Sequence, residues 1–322
     1  MVTTRMIATI QALVTPLVPM SDLPAIELIH ATKHFGRLKA LDDVSISVRQ
    51  GEVVAMLGPN GAGKTTAVSL MLGLRRPTGG TARLFGADPR LPASRLRLGS
   101  MLQDSGVPAM LTVREVVELF RALYHRPITE AEAIEAAQLG DKRNARVATL
   151  SGGQRQRLYF ALAIVGDPDV LFLDEPTVGL DVEARRAFWE QITRLAARGK
   201  TVLLTTHYME EADALAERVI VVNRGVIVAE GSPTAIKTRV GGRDVRFIAD
   251  GLSPDWLSDL PGVQRVSRTG RAWSLLTVEP ETVLREIFAS GVTISNLEVH
   301  GAKLEEAVLA LTSANARPAA IA

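Results

Sequence analysis

The chain has 322 residues, of which 47% are apolar and 22% charged, a balance that argues against a disordered or fibrous protein. Its 37 basic and 35 acidic residues give a net charge of only +2, so charge alone predicts neither a nucleic-acid partner nor attraction to membrane lipid. The absence of cysteine excludes disulfides and thiolate chemistry and is typical of a reducing compartment, and no apolar run of ~20 residues predicts a membrane span.

Residues 1–24 are predicted to form a disordered leader. Their apolar run, Met6–Met20, is interrupted by Pro16 and Pro19, which makes it a poor membrane span and a poor secretion signal. A role for this run at a membrane surface stays open.

The next segment shows the alternation of half-exposed strands. Apolar and polar residues alternate through Ile26–His30 and Val44–Val48, which predicts short strands of an antiparallel sheet. Val53–Leu57 is instead continuously apolar and leads through glycines into the helix-like stretch Thr65–Leu74. This order of strand, loop and helix predicts the first unit of an α/β sheet.

A helical segment interrupts the strands at about residues 104–165. Val113, Val116, Val117 and Phe120 recur at helical spacing, so we predict an inserted helical subdomain. Strands that alternate with helices then predict a parallel sheet covered on both faces. The buried-strand patterns of this part are Val170–Leu173, Val202–Thr205 and Val219–Val222.

Beyond Gly241 and Gly242 the pattern changes to short strands and helices. We predict a small α+β domain at residues 239–314, for which a ferredoxin-like arrangement is one candidate, and a frayed tail at residues 315–322. The strand-like and helix-like runs of this domain are Val245–Ile248, Val263–Val266, Trp273–Val278, Pro280–Ala289, Val292–Val299 and Leu304–Leu311.

The loop after Val53–Leu57 matches the phosphate-loop pattern GxxxxGK[ST]. Its glycines let successive backbone N–H groups surround an anion, and the helix that follows adds the positive end of its dipole. Lys64 can reach the outer phosphates, and the hydroxyl of Thr65 can bind Mg²⁺. The candidate nucleotide-binding residues here are Gly58, Pro59, Asn60, Gly61, Ala62, Gly63, Lys64, Thr65 and Thr66.

Two carboxylates follow the buried strand Val170–Leu173. Ligands of open α/β folds lie at the carboxyl ends of such strands. Asp174 is suited to hold Mg²⁺, and Glu175 is suited to polarise an attacking water. Together with the phosphate loop, the pair predicts phosphoryl transfer to water.

A second anion-binding cradle is predicted at Ser151–Gln154, whose sequence is Ser-Gly-Gly-Gln. Ser151 is a natural helix N-cap, and Gly152 and Gly153 expose further N–H groups at the start of a helix. One triphosphate has little use for two cradles on the same side. We therefore expect this cradle to close on the nucleotide of a second copy, with Gln154 among the contacting residues.

Phosphate loop, Ser-Gly-Gly-Gln segment and acidic strand follow one another in an order that resembles the nucleotide-binding subunits of ABC transporters, over about Ala25–Thr234. The resemblance implies a P-loop NTPase fold at residues 25–238, with a RecA-like parallel sheet core, an antiparallel β subdomain and the helical insert. It also implies an ATPase that uses ATP and Mg²⁺ and works as a homodimer with ATP sandwiched at the interface.

Four further site residues are implied by the resemblance. Phe35 resembles the aromatic residue that stacks on adenine, and Gln103 resembles the Q-loop glutamine that senses Mg²⁺. Asp181 resembles the D-loop aspartate that crosses the dimer interface. His207 resembles the switch histidine that contacts the γ-phosphate and, with Glu175, orients the attacking water.

The segment Thr205–Asp213 resembles exporters of the ABC-2 type, and Leu304–Leu311 resembles the terminal helix of drug-exporter subunits with an extra C-terminal domain. These resemblances imply export of a drug-like, lipid or other substrate. The partner would be a separate polytopic membrane permease, with this chain peripheral at the cytoplasmic face of the membrane.

Two other functions stay open. A soluble ABC ATPase that acts on DNA or ribosomes is disfavoured by the near-neutral charge and by the lack of a long coiled-coil insert between Lys64 and Ser151, so we expect no nucleic-acid partner. An importer ATPase is the other alternative. The C-terminal domain could also serve only to stabilise a dimer or to regulate it.

Overall fold

A computed structural model describes residues 23–102, 106–240, 242–301 and 303–314. The predictions for residues 1–22 of the leader, for Gln103 and for the tail at 315–322 lie outside these ranges. In chain order the strands are β1 (Ile26–Phe35), β2 (Leu38–Val48), β3 (Val53–Leu57), β4 (Gly79–Leu84), β5 (Leu98–Met101), β6 (Val170–Asp174), β7 (Thr201–Thr206), β8 (Arg218–Asn223), β9 (Val226–Gly231), β10 (Arg243–Ile248), β11 (Val263–Thr269), β12 (Ala272–Thr277) and β13 (Ser295–Gly301).

The helices alternate with these strands along the chain, and short 3₁₀ turns lie at Gly140–Lys142 and Val147–Thr149. The α-helices are α1 (Lys64–Met71), α2 (Pro92–Arg95), α3 (Val113–Arg121), α4 (Glu130–Ala136), α5 (Gly152–Ile164), α6 (Val182–Ala197), α7 (Met209–Leu215), α8 (Pro233–Val240), α9 (Pro254–Ser258), α10 (Pro280–Ala289) and α11 (Leu304–Ala314). Within the described ranges, no helix is long and apolar enough to cross a membrane.

The chain forms two compact units. The first comprises the described residues up to Val53 together with Thr65–Leu204, and the second comprises Val54–Lys64 together with the described residues from Thr205 onward. The first unit holds neighbouring strands in the order β5-β6-β7, and the second holds neighbouring strands in the order β3-β8-β9. Strands β5 and β6 are parallel, as are β3 and β8, whereas β9 is antiparallel to β8.

The first unit also contains an antiparallel sheet in the order β2-β1-β4. Ile26 pairs with Val48 on one side and with Leu84 on the other, and all three side chains are buried. The predicted alternation therefore sets which face of this sheet packs against the interior. Helices α3, α4 and α5 lie between β5 and β6 in the chain, where the helical insert is predicted.

The second unit ends in a four-stranded antiparallel sheet of order β11-β12-β10-β13. With α9 after β10 and α10 after β12, the β-α-β-β-α-β order is that of a ferredoxin-like arrangement. The buried cluster on one face includes Val245, Phe247, Trp273 and Ile287. The parallel strand core, the antiparallel sheets and the helices agree with the predicted fold class.

Candidate active site

The phosphate loop leaves strand β3 at Gly58, where the backbone passes close to strand β8. A Cβ atom at Gly58 would lie 2.1 Å from the carbonyl oxygen of Val222, so only glycine fits this approach. The loop is closed by hydrogen bonds from the Ala62 N–H to Pro59 O (3.1 Å) and from the Gly225 N–H to Ala62 O (2.8 Å). The loop backbone is thereby held in a defined curve before helix α1 begins.

Lys64 begins helix α1, and only 6% of its surface is exposed. Its ammonium group donates hydrogen bonds to the carbonyl oxygens of Gly58 (2.7 Å) and Pro59 (3.2 Å). The amine is therefore folded back over the mouth of its own loop, where the outer phosphates of a bound nucleotide would need a cation.

The Thr65 hydroxyl follows directly and donates to a carboxylate oxygen of Asp174 at 3.4 Å. Asp174 is 2% exposed at the carboxyl end of β6. An octahedral Mg²⁺ with Mg–O distances of ~2.1 Å holds neighbouring ligands ~3 Å apart, so these two oxygens fit such an ion. No cluster of three or more histidine, cysteine or acidic residues offers a metal site in the described part of the chain.

Glu175 has an unusual backbone. It adopts a φ of +51°, a left-handed conformation that non-glycine residues seldom take. Its carbonyl oxygen accepts a hydrogen bond from the Val178 N–H at 3.3 Å and one from the Gln156 side chain at 3.4 Å. Strain of this kind persists only when surrounding contacts enforce it, and it is common at active sites.

The Ser-Gly-Gly-Gln cradle lies at the start of helix α5 in the first unit. The Ser151 hydroxyl accepts the Gln154 N–H (3.3 Å), and the Gln154 side-chain oxygen accepts the Ser151 N–H (3.0 Å), which together form a capping box. A Cβ on Gly152 would meet nothing within 4 Å, whereas one on Gly153 would lie 3.1 Å from Leu180. Packing thus explains the second glycine, and the first leaves the helix end open to a ligand.

The segment that leads to Ser151 is fixed by an ion pair. Arg143 donates two hydrogen bonds of 2.7 Å to the carboxylate of Glu130, which is buried at the start of α4. Arg143 keeps the pKa of that carboxyl below its ordinary value, chiefly through these hydrogen bonds. Backbone hydrogen bonds also join this segment to the start of α3, from Val113 N to Ala145 O (3.0 Å) and from Val147 N to Leu111 O (2.9 Å).

Phe35 ends strand β1 with 39% of its surface exposed, so it is not a core residue. Two cations approach its ring: Lys33 Nζ lies 5.3 Å and Arg75 Cζ 5.1 Å from the ring centroid. An exposed ring held in this way can stack on a flat base.

Asp181 and His207 are the two remaining site residues that the resemblance implies within the described part of the chain. The Asp181 carboxylate accepts the Ala184 N–H at 2.8 Å and caps helix α6. His207 is exposed after strand β7, and its ring lies 4.2 Å from that of Tyr208, centroid to centroid. Both roles stay predictions, and Gln103 lies outside the described residues.

Sequence reasoning missed three contributors to the site. Gln156 joins helix α5 to the backbone of Glu175, and the cations of Lys33 and Arg75 lie against the Phe35 ring. The available signals were the place of Gln156 early in the helix that follows Ser151, and the presence in the sequence of two cations and an aromatic residue. Neither is distinctive without the fold, since Arg75 is 40 residues away from Phe35 in the chain.

Comparison with protein families matches residues 41–178 to the ABC transporter model. A Paraburkholderia xenovorans (strain LB400) protein named Nod factor export ATP-binding protein I is 40% identical over 269 residues, which cover 80% of this chain and 88% of that protein. A Rhizobium johnstonii protein of the same name is 38% identical over 299 residues, or 89% of this chain and 94% of that protein.

Solved structures show the same fold. The dimeric post-hydrolysis state of the ATP-binding cassette MJ0796 bound to ADP and Pi aligns with a TM-score of 0.60 and 27% identity, over 64% of this chain and 98% of that chain. A structure of an ATP-binding subunit of an ABC transporter aligns with a TM-score of 0.62 and 25% identity, over 67% and 93% of the respective chains.

Proposed function

The chain belongs to the ATP-binding subunits of ABC transporters, which hydrolyse ATP, and from this premise we propose that it powers export of a drug-like, lipid or other substrate through a separate polytopic membrane permease. The direction of transport is supported by two relatives that are named as export proteins. Their alignments cover 80% and 89% of this chain. The segment Thr205–Asp213, which resembles exporters of the ABC-2 type, supports the same direction.

ATP binding is carried by the phosphate loop. Lys64 supplies the positive charge that the outer phosphates need, and the N–H groups at the start of α1 add the dipole of the helix. Thr65 and Asp174 would hold Mg²⁺, which when bound neutralises phosphate charge. Phe35 would stack on the adenine ring.

Hydrolysis is assigned to Glu175 and His207. Glu175 would accept a hydrogen bond from the attacking water, and His207 would contact the γ-phosphate and help to orient that water. The strained backbone of Glu175 supports this role, because such conformations are common at active sites and persist only where surrounding contacts enforce them.

The working form is a homodimer with ATP sandwiched at the interface. The open start of α5 at Ser151 and Gly152 would contact the nucleotide of the partner subunit, with Asp181 at the same interface. Val178 and Val182 flank Asp181 and are 43% and 64% exposed, which suits residues that a second copy would cover.

A cavity of about 360 Å³ in the first unit supports docking of the permease. It is lined by Leu102, Val107, Phe120, Tyr124 and Leu162, from the start and the helices of the insert. A short helix of a membrane subunit, seated there, would move with the insert when the dimer closes. This contact would place the chain at the cytoplasmic face of the membrane.

Replacing Glu175 with glutamine tests the catalytic assignment. We expect Glu175→Gln to keep ATP binding, to lower turnover at least ~100-fold and to trap a dimer in the presence of ATP, because amide and carboxylate have the same shape but the amide is no base. Glu190→Gln is the control, since Glu190 is an exposed glutamate on α6. Parental turnover in Glu175→Gln would show that the assignment is wrong.

The export assignment needs a separate test. We expect a gene next to that of this chain to encode a protein with about six apolar spans, and that protein to co-purify with this chain. In proteoliposomes the pair should hydrolyse ATP faster than this chain alone, and the Glu175→Gln form should not. A neighbouring gene for an external binding protein would instead favour import.

A further inference from the structure

An arginine-rich cavity of about 500 Å³ lies in the first unit, and Arg75, whose guanidinium lies over the Phe35 ring, is its one lining residue that also contributes to the ATP site. Four guanidinium groups line it, from Arg75 and Arg76 after helix α1, Arg83 on edge strand β4, and Arg90. Asp88 is the only acidic residue among the lining residues. The near-neutral charge of the whole chain therefore conceals a strong local excess of positive charge.

The single carboxylate is already engaged. Arg90 Nε lies 2.9 and 3.0 Å from the two oxygens of Asp88, and the Arg90 N–H donates to Asp88 as well. Arg90 foremost, through these hydrogen bonds, and Arg76 through its charge hold the pKa of Asp88 at about 2. Asp88 is thus an ionised partner of Arg90, and one carboxylate cannot balance the charge of the four lining guanidinium groups.

The remaining three guanidinium groups have no carboxylate within ion-pair distance among the described residues. Arg75 lies over the Phe35 ring, and Arg83 pairs across the sheet with Glu27 without forming an ion pair. Guanidinium groups with free N–H donors bind phosphate oxygens in pairs. The chemistry of the cavity is therefore that of a phosphate receptor.

Exposed leucines lie beside the arginines in the chain. Leu74 precedes Arg75 and is 56% exposed, and Leu91 follows Arg90 and is 52% exposed. A soluble phosphate would use the arginines but would leave the leucines in water. A bilayer offers both phases, because phosphate headgroups lie directly above apolar chains.

We propose that the cavity arginines, together with the exposed Leu74 and Leu91 that adjoin Arg75 and Arg90 in the chain, bind the phosphate headgroups of an anionic lipid bilayer. The arginines contact headgroup phosphates and the leucines enter the interface below them. The proposal is independent of the transported substrate and of the permease, since it needs only this chain and lipid. It gives the ATPase a direct contact with the membrane surface.

The test is sedimentation of the full-length protein with vesicles of phosphatidylcholine containing phosphatidylglycerol at about one lipid in three. Arg76→Gln/Arg83→Gln should lower the partition coefficient about thirtyfold, because each arginine near an anionic surface contributes about a fivefold factor. The control is Arg126→Gln/Arg285→Gln, which removes the same charge from two exposed arginines outside the cavity. ATPase activity, which needs none of these residues, reports that each variant is folded.

Three outcomes would overturn the proposal. Equal losses of vesicle binding in both double variants would mean that the overall positive charge of the protein, and not this cavity, attracts it to the lipid. Equal binding to vesicles of pure phosphatidylcholine, whose phosphate is balanced by choline, would mean that the net negative charge of the lipid surface is not recognised. The protein could also fail to bind the anionic vesicles while inorganic phosphate protects Arg76 and Arg83 from arginine-modifying reagents. That result would assign the cavity to a soluble anion. Loss of vesicle binding in Leu74→Ser/Leu91→Ser, with that protection by phosphate unchanged, would support the bilayer.

Discussion

The close passage of strand β8 beneath Gly58 makes this glycine the most sensitive backbone position in the phosphate loop. In Gly58→Ala the new methyl group would lie 2.1 Å from Val222 O, 3.1 Å from Val222 C and 3.2 Å from Ala62 Cβ. A carbon and an oxygen need ~3.2 Å, so loop and strand must separate by about 1 Å in a close-packed region. All of the atoms involved belong to backbone or to a short side chain, so none can rotate away.

We expect this separation to reduce the free energy of unfolding by about 3 kcal/mol or more, as for other overpacked sites. A 1 Å displacement of the loop also misaligns its N–H groups relative to the phosphates, so ATP affinity should fall about 100-fold. Gly61→Ala is the matched control in the same loop. Gly61 has a φ of +78° but nothing within 4 Å of a Cβ, so it should lose only the ~1–2 kcal/mol of a left-handed residue.

Chemical denaturation and titration with a fluorescent ATP analogue measure the two quantities. The decisive comparison is between the variants, because both add one methyl group to the loop. If Gly58→Ala is no less stable than Gly61→Ala and binds the analogue within about threefold of the parent, the close approach to Val222 does not limit the loop, and the reasoning fails.

Two further changes test the surroundings of the site. Glu130→Gln should lower stability by about 1–2 kcal/mol at neutral pH, less than for a fully buried pair because the Arg143 side chain is 45% exposed. Because the folded pKa of Glu130 lies below its ordinary value, the parent has this stability in full above about pH 4.3 and loses it as pH falls through the folded pKa. The denaturation midpoint of the parent should therefore fall in this pH range, and that of the variant should not fall for this reason. Midpoints of parent and variant that change in parallel with pH would contradict the assignment. Phe35→Ala should raise the KM for ATP about tenfold, whereas Phe35→Tyr should leave it within twofold, since only the ring is needed; equal effects would exclude stacking.

Strands whose residues are almost all buried were predicted well from sequence. The apolar run Val53–Leu57 coincides with β3, and β6, β7 and β8 extend the predicted runs by only one or two residues. All residues of β3 are buried, so the pattern is set by the core and not by local propensity.

Other elements were missed or misplaced because local signals conflict with tertiary contacts. The antiparallel edge strand β9 and the five-residue helix α9 were not predicted, since neither has a long periodic pattern. The last strand was predicted to begin at Val292 but begins at Ser295, three residues later. Val292 and Ile294 instead pack against the core of the C-terminal sheet from the preceding loop.

The site shows a similar division. The motifs mark Lys64, Thr65 and Asp174 as candidate site residues. The hydrogen bonds of Lys64 and Thr65 are compatible with their expected roles, which stay predictions. The left-handed φ of Glu175 could not be predicted, because glutamate has no preference for it. It arises from contacts made after the strand ends, which one sequence does not record.

The capping box leaves the Ser151 hydroxyl able to donate one further hydrogen bond. A hydroxyl oxygen can accept one hydrogen bond and donate another, and that of Ser151 already accepts from the Gln154 N–H. Its own proton is therefore left to turn toward the open end of the helix, beside Gly152. A partner's phosphate would meet a donor whose rotation is already restricted, so little entropy is lost on contact. The same serine that starts the helix would thus lower the entropy cost of the proposed dimer closure.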